Sequence, residues 1–233
     1  MEKIILIETS TALCSVALAE EGIVTSYRES SAPKAHASLT AVFIQEMLQE
    51  RGLTLADCDA VCVSKGPGSY TGLRVGVSTA KGLCFGSGKP LLAVGTLDTL
   101  VAQAVDATPG TPYRYIIPMI DARRMEVYTA VFETSAEGVY TQITETSPAI
   151  IDENSFSEYL EQGTCLFIGD GAGKCADMIK HPNAQFCQCW PKASSMLSPA
   201  AEAYRAGNFE DVAYFEPFYL KEFVATVSKK KMW

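Results

Sequence analysis

Short apolar runs closed by polar turns alternate along this chain with stretches of helical period. Ile4-Ile5-Leu6-Ile7 is aliphatic without interruption and stops at Glu8-Thr9-Ser10, so Lys3 to Ile7 reads as a strand buried on both faces. Ser15 to Ala19 and Ile23 to Tyr27 follow around the turn Glu20-Glu21-Gly22 and complete a meander of strands. A helix is predicted from about Ser38 to Arg51, a buried strand over Ala60 to Ser64, and a second helix over Thr71 to Gly86 after a glycine-rich turn. Leu91 to Val94 adds a strand, and Thr96 caps a helix that runs to about Val105. Thr108-Pro109-Gly110-Thr111-Pro112 then reads as a linker.

Beyond the linker the pattern starts again. Strands are predicted over Tyr115 to Ile120, Glu126 to Phe132 and Val139 to Thr146, then a helix at Glu153 to Glu161, a strand at Cys165 to Ile168 and a helix at Gly171 to Ile179. Each half therefore contains the order three strands, helix, strand, helix. That order predicts an α/β fold of duplicated ββαβα units with mixed sheets, divided as 1–107 and 108–233, with a tail from about 212 packing back on the first half.

Composition narrows the function classes. A net charge of −8 over 233 residues disfavours unassisted nucleic-acid binding, which needs a basic surface to neutralise phosphates. The one basic run, Lys229-Lys230-Lys231, reads as a solvated tail. Eight cysteines without a C-x-x-C pair, such as Cys14, Cys62, Cys84 and Cys165, read as buried thiols of a reducing compartment. No signal-peptide or membrane-spanning pattern is visible, so the expected location is cytoplasmic.

The richest motif is Ser64-Lys65-Gly66-Pro67-Gly68-Ser69-Tyr70-Thr71-Gly72. It has the look of a phosphate loop, yet neither Gly66 nor Gly68 leads to the Gly-Lys-Ser/Thr of a Walker loop, and Thr71 stands where a dinucleotide fingerprint needs its third glycine. A tight turn from strand into helix accounts for it. Gly169-Asp170-Gly171-Ala172-Gly173-Lys174 reads the same way, because Ile168 replaces the first Walker glycine and Cys175 follows the lysine. Metallopeptidase chemistry needs a ligand cluster, but the two histidines are His36 and His181, and Thr40 occupies the position four residues after His36. With no Gly-x-Ser-x-Gly elbow either, the residues predict no catalytic group and no metal site.

Four segments carry a family resemblance. Ile7-Glu8-Thr9-Ser10 leading to Cys14-Ser15-Val16-Ala17-Leu18, Lys65 to Arg74, Asp121-Ala122-Arg123-Arg124-Met125-Glu126-Val127-Tyr128 and Pro217-Phe218-Tyr219-Leu220-Lys221 together resemble the TsaB (YeaZ) family. The likeness spans the chain, with Glu8 where the family usually has Asp and Met125 where it usually has Gly. It implies ribonuclease H-like halves of the actin, sugar kinase and heat-shock ATPase superfamily. It also implies a non-catalytic scaffold or activator of tRNA threonylcarbamoyladenosine modification that binds the catalytic relative TsaD, with the ATPase TsaE assisting. Self-association as a homodimer without TsaD, and contact with tRNA through the complex, follow from the same resemblance. In the superfamily a nucleotide lies between two hairpins, so Glu8, Thr9, Ser10, Asp121, Gly169 and Gly171 mark where a vestigial site would bind ATP or ADP with Mg²⁺ weakly. Thr9 to Leu13 lacks glycines for close approach, and Arg123 and Arg124 crowd the second turn. A nucleotide-dependent transferase or hydrolase using Glu8, Asp121 and the Gly169 to Gly173 loop is the alternative.

The two long helices each carry more apolar surface than one core requires. Over Ser38 to Arg51 one stripe holds Leu39, Val42, Phe43 and Met47, and another holds Ala37, Ala41, Ile44 and Leu48. In the next helix Leu73, Gly76, Val77, Ala80, Leu83 and Cys84 make a core face, while Val75, Thr79, Gly82 and Gly86 make a stripe of small residues. Either the second faces are buried within the fold or they meet another protein. The resemblance implies the latter, with Ala37, Ala41, Ile44, Leu48, Thr71, Val75, Thr79, Gly82 and Gly86 at the partner interface.

Overall fold

A computed structural model describes residues 2–221 apart from 109, 111, 112, 136 and 137. Most of the expected linker and the run Lys229 to Lys231 lie outside the described residues. The first half forms β1 (Lys3–Glu8), β2 (Cys14–Glu20), β3 (Ile23–Ser30), α1 (Ala35–Glu50), β4 (Ala60–Gly66), α2 (Tyr70–Ser87), β5 (Leu91–Gly95) and α3 (Thr96–Ala107). The second forms β6 (Tyr115–Asp121), β7 (Glu126–Thr129), β8 (Phe132–Thr134), β9 (Tyr140–Gln142), β10 (Ser147–Ile150), α4 (Ser157–Leu160), β11 (Cys165–Gly169), α5 (Ala172–Cys175), β12 (Ala184–Gln188) and α6 (Leu197–Arg205).

The sheets repeat one topology. The first is ordered β3-β2-β1-β4-β5 and the second β10-β7-β6-β11-β12, with β8 and β9 branching from β6. In both, the first strand pairs antiparallel with its hairpin partner and parallel with the strand that follows a crossover. Glu8 and Asp121 are thus the last residues of equivalent strands.

Helices cover both sheets on both faces, which is why β1 can be aliphatic throughout. Ile44, Met47 and Leu48 of α1 and Val77, Ala80 and Cys84 of α2 pack on Ile5, Ile7, Val16 and Val63. The opposite face, with Ile4, Leu6, Cys62 and Leu92, is closed by Ala193, Met196 and Ala200, from a 3₁₀ turn and α6. In exchange, α3 sends Leu97, Leu100, Val101 and Ala104 onto Ile116, Ile120, Leu166 and Ile168 of the second sheet. The outer face of that sheet, with Ile117, Val127 and Phe167, is covered by Leu160, Ala172 and Cys175.

A cut at 107/108 therefore separates the sheets but not the helices that cover them. The return to the first half begins near Ala193 rather than near 212. It continues through Val212 and Phe215, which pack on the first core, and through the Phe218 N–H, which donates to the Lys65 carbonyl at 2.7 Å.

The second half departs most from the sequence pattern. The strand predicted over Glu126 to Phe132 is two strands: β7 pairs with Met119 to Asp121 of β6 and β8 with Tyr115 and Ile116, so the chain bends at Ala130 and Val131 to change position along one neighbour. The predicted strand over Val139 to Thr146 keeps only β9, and β10 follows it at an edge, where Pro148 is tolerated. The helices predicted at Glu153 to Glu161 and Gly171 to Ile179 are single turns. β12 and α6 had no sequence expectation: β12 is a polar edge strand, and α6 buries mainly alanines. Gly95, not Thr96, occupies the N-cap of α3.

Candidate functional site

The first hairpin turn is closed by its own chain. Glu8 is completely buried, and its Oε1 accepts from the Ser10 N–H at 2.6 Å and from Ser64 Oγ at 2.9 Å. Burial raises its carboxyl to about 7, against the hydrogen bonds from Ser10, Ser64 and Thr9, which hold it down. Glu8 Oε2, Thr9 Oγ1 and Ser10 Oγ are buried without a partner among the described residues. Over this turn lies the start of α2. A Cβ at Gly68 would collide with the Ser10 carbonyl, at Gly72 with the Thr9 carbonyl, and at Gly76 with Thr9 Oγ1. The Ser69 N–H donates to the Ser10 carbonyl at 2.6 Å, and Ser69 Oγ caps the helix by accepting from the Gly72 N–H at 3.2 Å. The glycine motif is a turn, as its spacing predicts, and its glycines make room for Thr9 and Ser10. His36 donates from Nε2 to the Thr11 carbonyl at 2.9 Å and ties α1 to the same turn.

The second hairpin is closed differently. Lys174 of α5 donates to Asp121 Oδ1 at 2.5 Å and to the carbonyls of Arg124 and Glu126, each at 2.7 Å. The strand-end carboxylate thus already has a cation, supplied by the chain. Gly169 and Gly171 carry no open loop: a Cβ at Gly169 would strike the Met119 carbonyl, and one at Gly171 would press on Val127. Asp170 accepts the Asp121 N–H at 2.9 Å, and burial pushes its carboxyl up. Glu8 and Asp121 each spend their hydrogen bonds within their own half. The six residues of the expected vestigial site therefore do not form the open, glycine-lined cradle that a Mg²⁺–triphosphate requires. Among the described residues no group of three or more His, Cys, Asp or Glu is placed to hold a metal ion.

A separate cleft of about 320 Å³ lies at the β7–β8 bend, between Thr129, Val131, Thr144, Ile151, Phe156 and Tyr159. Its charged groups are the exposed glutamates 145 and 158. It brings none of the sequence-marked residues together.

Among the described residues the exposed large apolar side chains are spread over the surface, and two of them, Val42 and Phe85, lie on α1 and α2. Ala37, Ala41, Thr71, Gly82 and Gly86 are exposed, Val75 and Thr79 half-buried, and nothing lies within 4 Å of a Cβ placed at Gly82 or Gly86. Phe85, between these glycines, is 85% exposed, and Val42 is 41% exposed. Two interface expectations are corrected. Ile44 and Leu48 are buried core residues, while Val42, absent from the expected interface, is outside. The reason is geometric: Thr40, Ile44, Met47 and Leu48 follow the i, i+3, i+4 spacing of one helix face, so the two stripes read from sequence straddled that face. Phe85 was not singled out in the sequence, although an aromatic among glycines was the available signal.

The family model described as TsaD, tRNA N6-adenosine threonylcarbamoyltransferase, matches residues 23–227. The tRNA threonylcarbamoyladenosine biosynthesis protein TsaB of Escherichia coli is 31% identical over 228 residues, 96% of each chain. The chain belongs to the TsaB family. TsaB of Haemophilus influenzae is 36% identical over 220 residues, 92% of each chain. Among solved structures, YeaZ from Pseudomonas aeruginosa superposes with a TM-score of 0.81 at 27% identity, over 94% of this chain and 100% of that one. The family and the mixed α/β fold expected from the four motifs are therefore those of the molecule.

Proposed function

We propose that this chain is a non-catalytic subunit in tRNA threonylcarbamoyladenosine biosynthesis. Its role is to bind the transferase relative TsaD through the exposed face of α1 and α2 and to favour that partner's active state. The observation that carries the reading is the unpartnered surface of Ala37, Ala41, Val42, Thr79, Gly82, Phe85 and Gly86, where small residues let another helix come close around one projecting aromatic. The closure of both hairpins by Ser10, Ser64 and Lys174 supports the absence of chemistry in this chain, and its relatives are named for the pathway. TsaE and tRNA join through the partner, and the same face serves a second copy of the chain when the transferase is absent. Cytoplasmic location belongs to this reading, and among the described residues no helix is long and apolar enough to cross a membrane.

Thr79→Arg and Phe85→Asp test the interface without touching the core. Each is expected to weaken association with the transferase, measured by calorimetric titration, by about tenfold or more, with the variant's own melting temperature little changed. Undiminished binding by both variants would place the contact elsewhere. Stoichiometric Mg-ATP binding by the isolated wild-type chain would favour the enzyme alternative.

A further inference from the structure

The turn between β6 and β7 is unusual in its backbone. Arg123 and Arg124 both take left-handed conformations, with φ of 71° and 50°, a region that L side chains with a Cβ disfavour. Their surroundings hold them there. The Arg123 N–H donates to Asp121 Oδ1 at 2.8 Å, the Glu126 N–H donates to the Arg123 carbonyl at 3.2 Å, and Lys174 clasps the Arg124 carbonyl from below. Such positions persist where the structure over-determines them, and they concentrate at binding sites.

Charge sharpens the picture. Each acidic group of the hairpin is already matched: Asp121 by Lys174, and Glu126 by Lys221, whose ammonium also lies 5.7 Å from the Tyr128 ring centroid. Asp170 is half-buried and turned to the Asp121 N–H. Both arginines are exposed, and neither guanidinium has an ion pair with a described residue. A rigid tip thus presents two positive forks, unmatched among the described residues, on a chain whose net charge is −8. The turn exposes no large apolar side chain, which the core of a protein interface would need.

We propose that Arg123 and Arg124 grip phosphodiesters of the tRNA that the assembly modifies. This rests on the function proposed above, and it gives the chain a direct contact with the RNA. Guanidinium forks match phosphate oxygens bidentately, and the preset turn fixes the backbone that carries them.

The test uses the chain assembled with its transferase partner, and an unmodified in vitro transcribed tRNA with adenosine beside the anticodon. Binding is titrated across a range of salt concentrations for wild type, Arg123→Gln/Arg124→Gln and Arg123→Lys/Arg124→Lys. The glutamine variant is expected to lower the slope of log K against log salt by about 1.4 to 1.8, two phosphate contacts' worth, and the lysine variant to restore most of it. An unchanged slope overturns the proposal. So does loss of the transferase complex in the glutamine variant, which would assign the arginines to an acidic protein surface. If the wild-type chain does not assemble with the transferase, the proposed function falls instead, and the same slopes measured on the isolated chain decide the arginines separately.

Discussion

Glu8 ends β1 with no exposed surface, and its carboxyl is raised from 4.5 to about 7 chiefly by burial. Below pH 4.5 folded and unfolded chains both hold its proton. Between 4.5 and 7 the unfolded chain releases the proton while the folded one retains it, so this residue makes stability fall as pH rises through that window, by about 3 kcal/mol, and the loss is complete above it. Glu8→Gln removes the ionisation and can keep the Oε1 acceptor. Urea unfolding at about pH 8 is expected to find the variant about 2 to 3 kcal/mol more stable, relative to its difference from wild type near pH 4.5. An equal difference at both pH values would show that Glu8 is not held protonated. Sequence marked Glu8 and Asp121 as matching strand ends, and the structure agrees. What each carboxyl touches was not legible: Ser64 lies 56 residues from Glu8 and Lys174 lies 53 from Asp121, so their pairings depend on how strands and loops stack.

Among elements, the start of α2 shows why one motif supported two readings. Glycine recurs both where a ligand's phosphate approaches and where the chain's own backbone does, and spacing alone separates these only by the failure of known loop patterns. Here the visitor is the β1–β2 turn. Two alanine substitutions in one helix separate packing from propensity. Gly76→Ala drives a methyl against Thr9 and is expected to cost about 1 to 3 kcal/mol despite the better helix former. Gly82→Ala meets open space and is expected to gain up to about 1 kcal/mol. Thermal melts of both check the pair, and a stabilised Gly76→Ala would mean that the turn does not sit against α2. The α1 stripes make the converse point. Every apolar residue of that helix was visible in the sequence, but which arc turns inward was decided by the sheet that receives Ile44, Met47 and Leu48.

At the scale of the molecule, the halves are interleaved rather than joined end to end, since α3 covers the second sheet and α6 the first. A fragment of residues 1–107 would leave Ile4, Leu6, Cys62 and Leu92 without Met196 and Ala200. It is expected to lack cooperative unfolding and to aggregate, and adding residues 189–221 as a separate peptide should restore a cooperative transition in circular dichroism. A cooperative transition in the fragment alone would show that the first sheet needs no cover from the second half. Strand and helix order in the first half, the duplication, the absence of Walker and metal-ligand spacing, and the family were determined by sequence alone. Each of these rests on local periodicity, turn chemistry or short-range motif spacing. Tertiary structure alone decided which helix covers which sheet, which face of α1 is free, that Lys174 neutralises Asp121, and that Arg123 and Arg124 are held outward. Those features arise from contacts between residues far apart in the chain, where burial and partner depend on three-dimensional packing that no local pattern encodes.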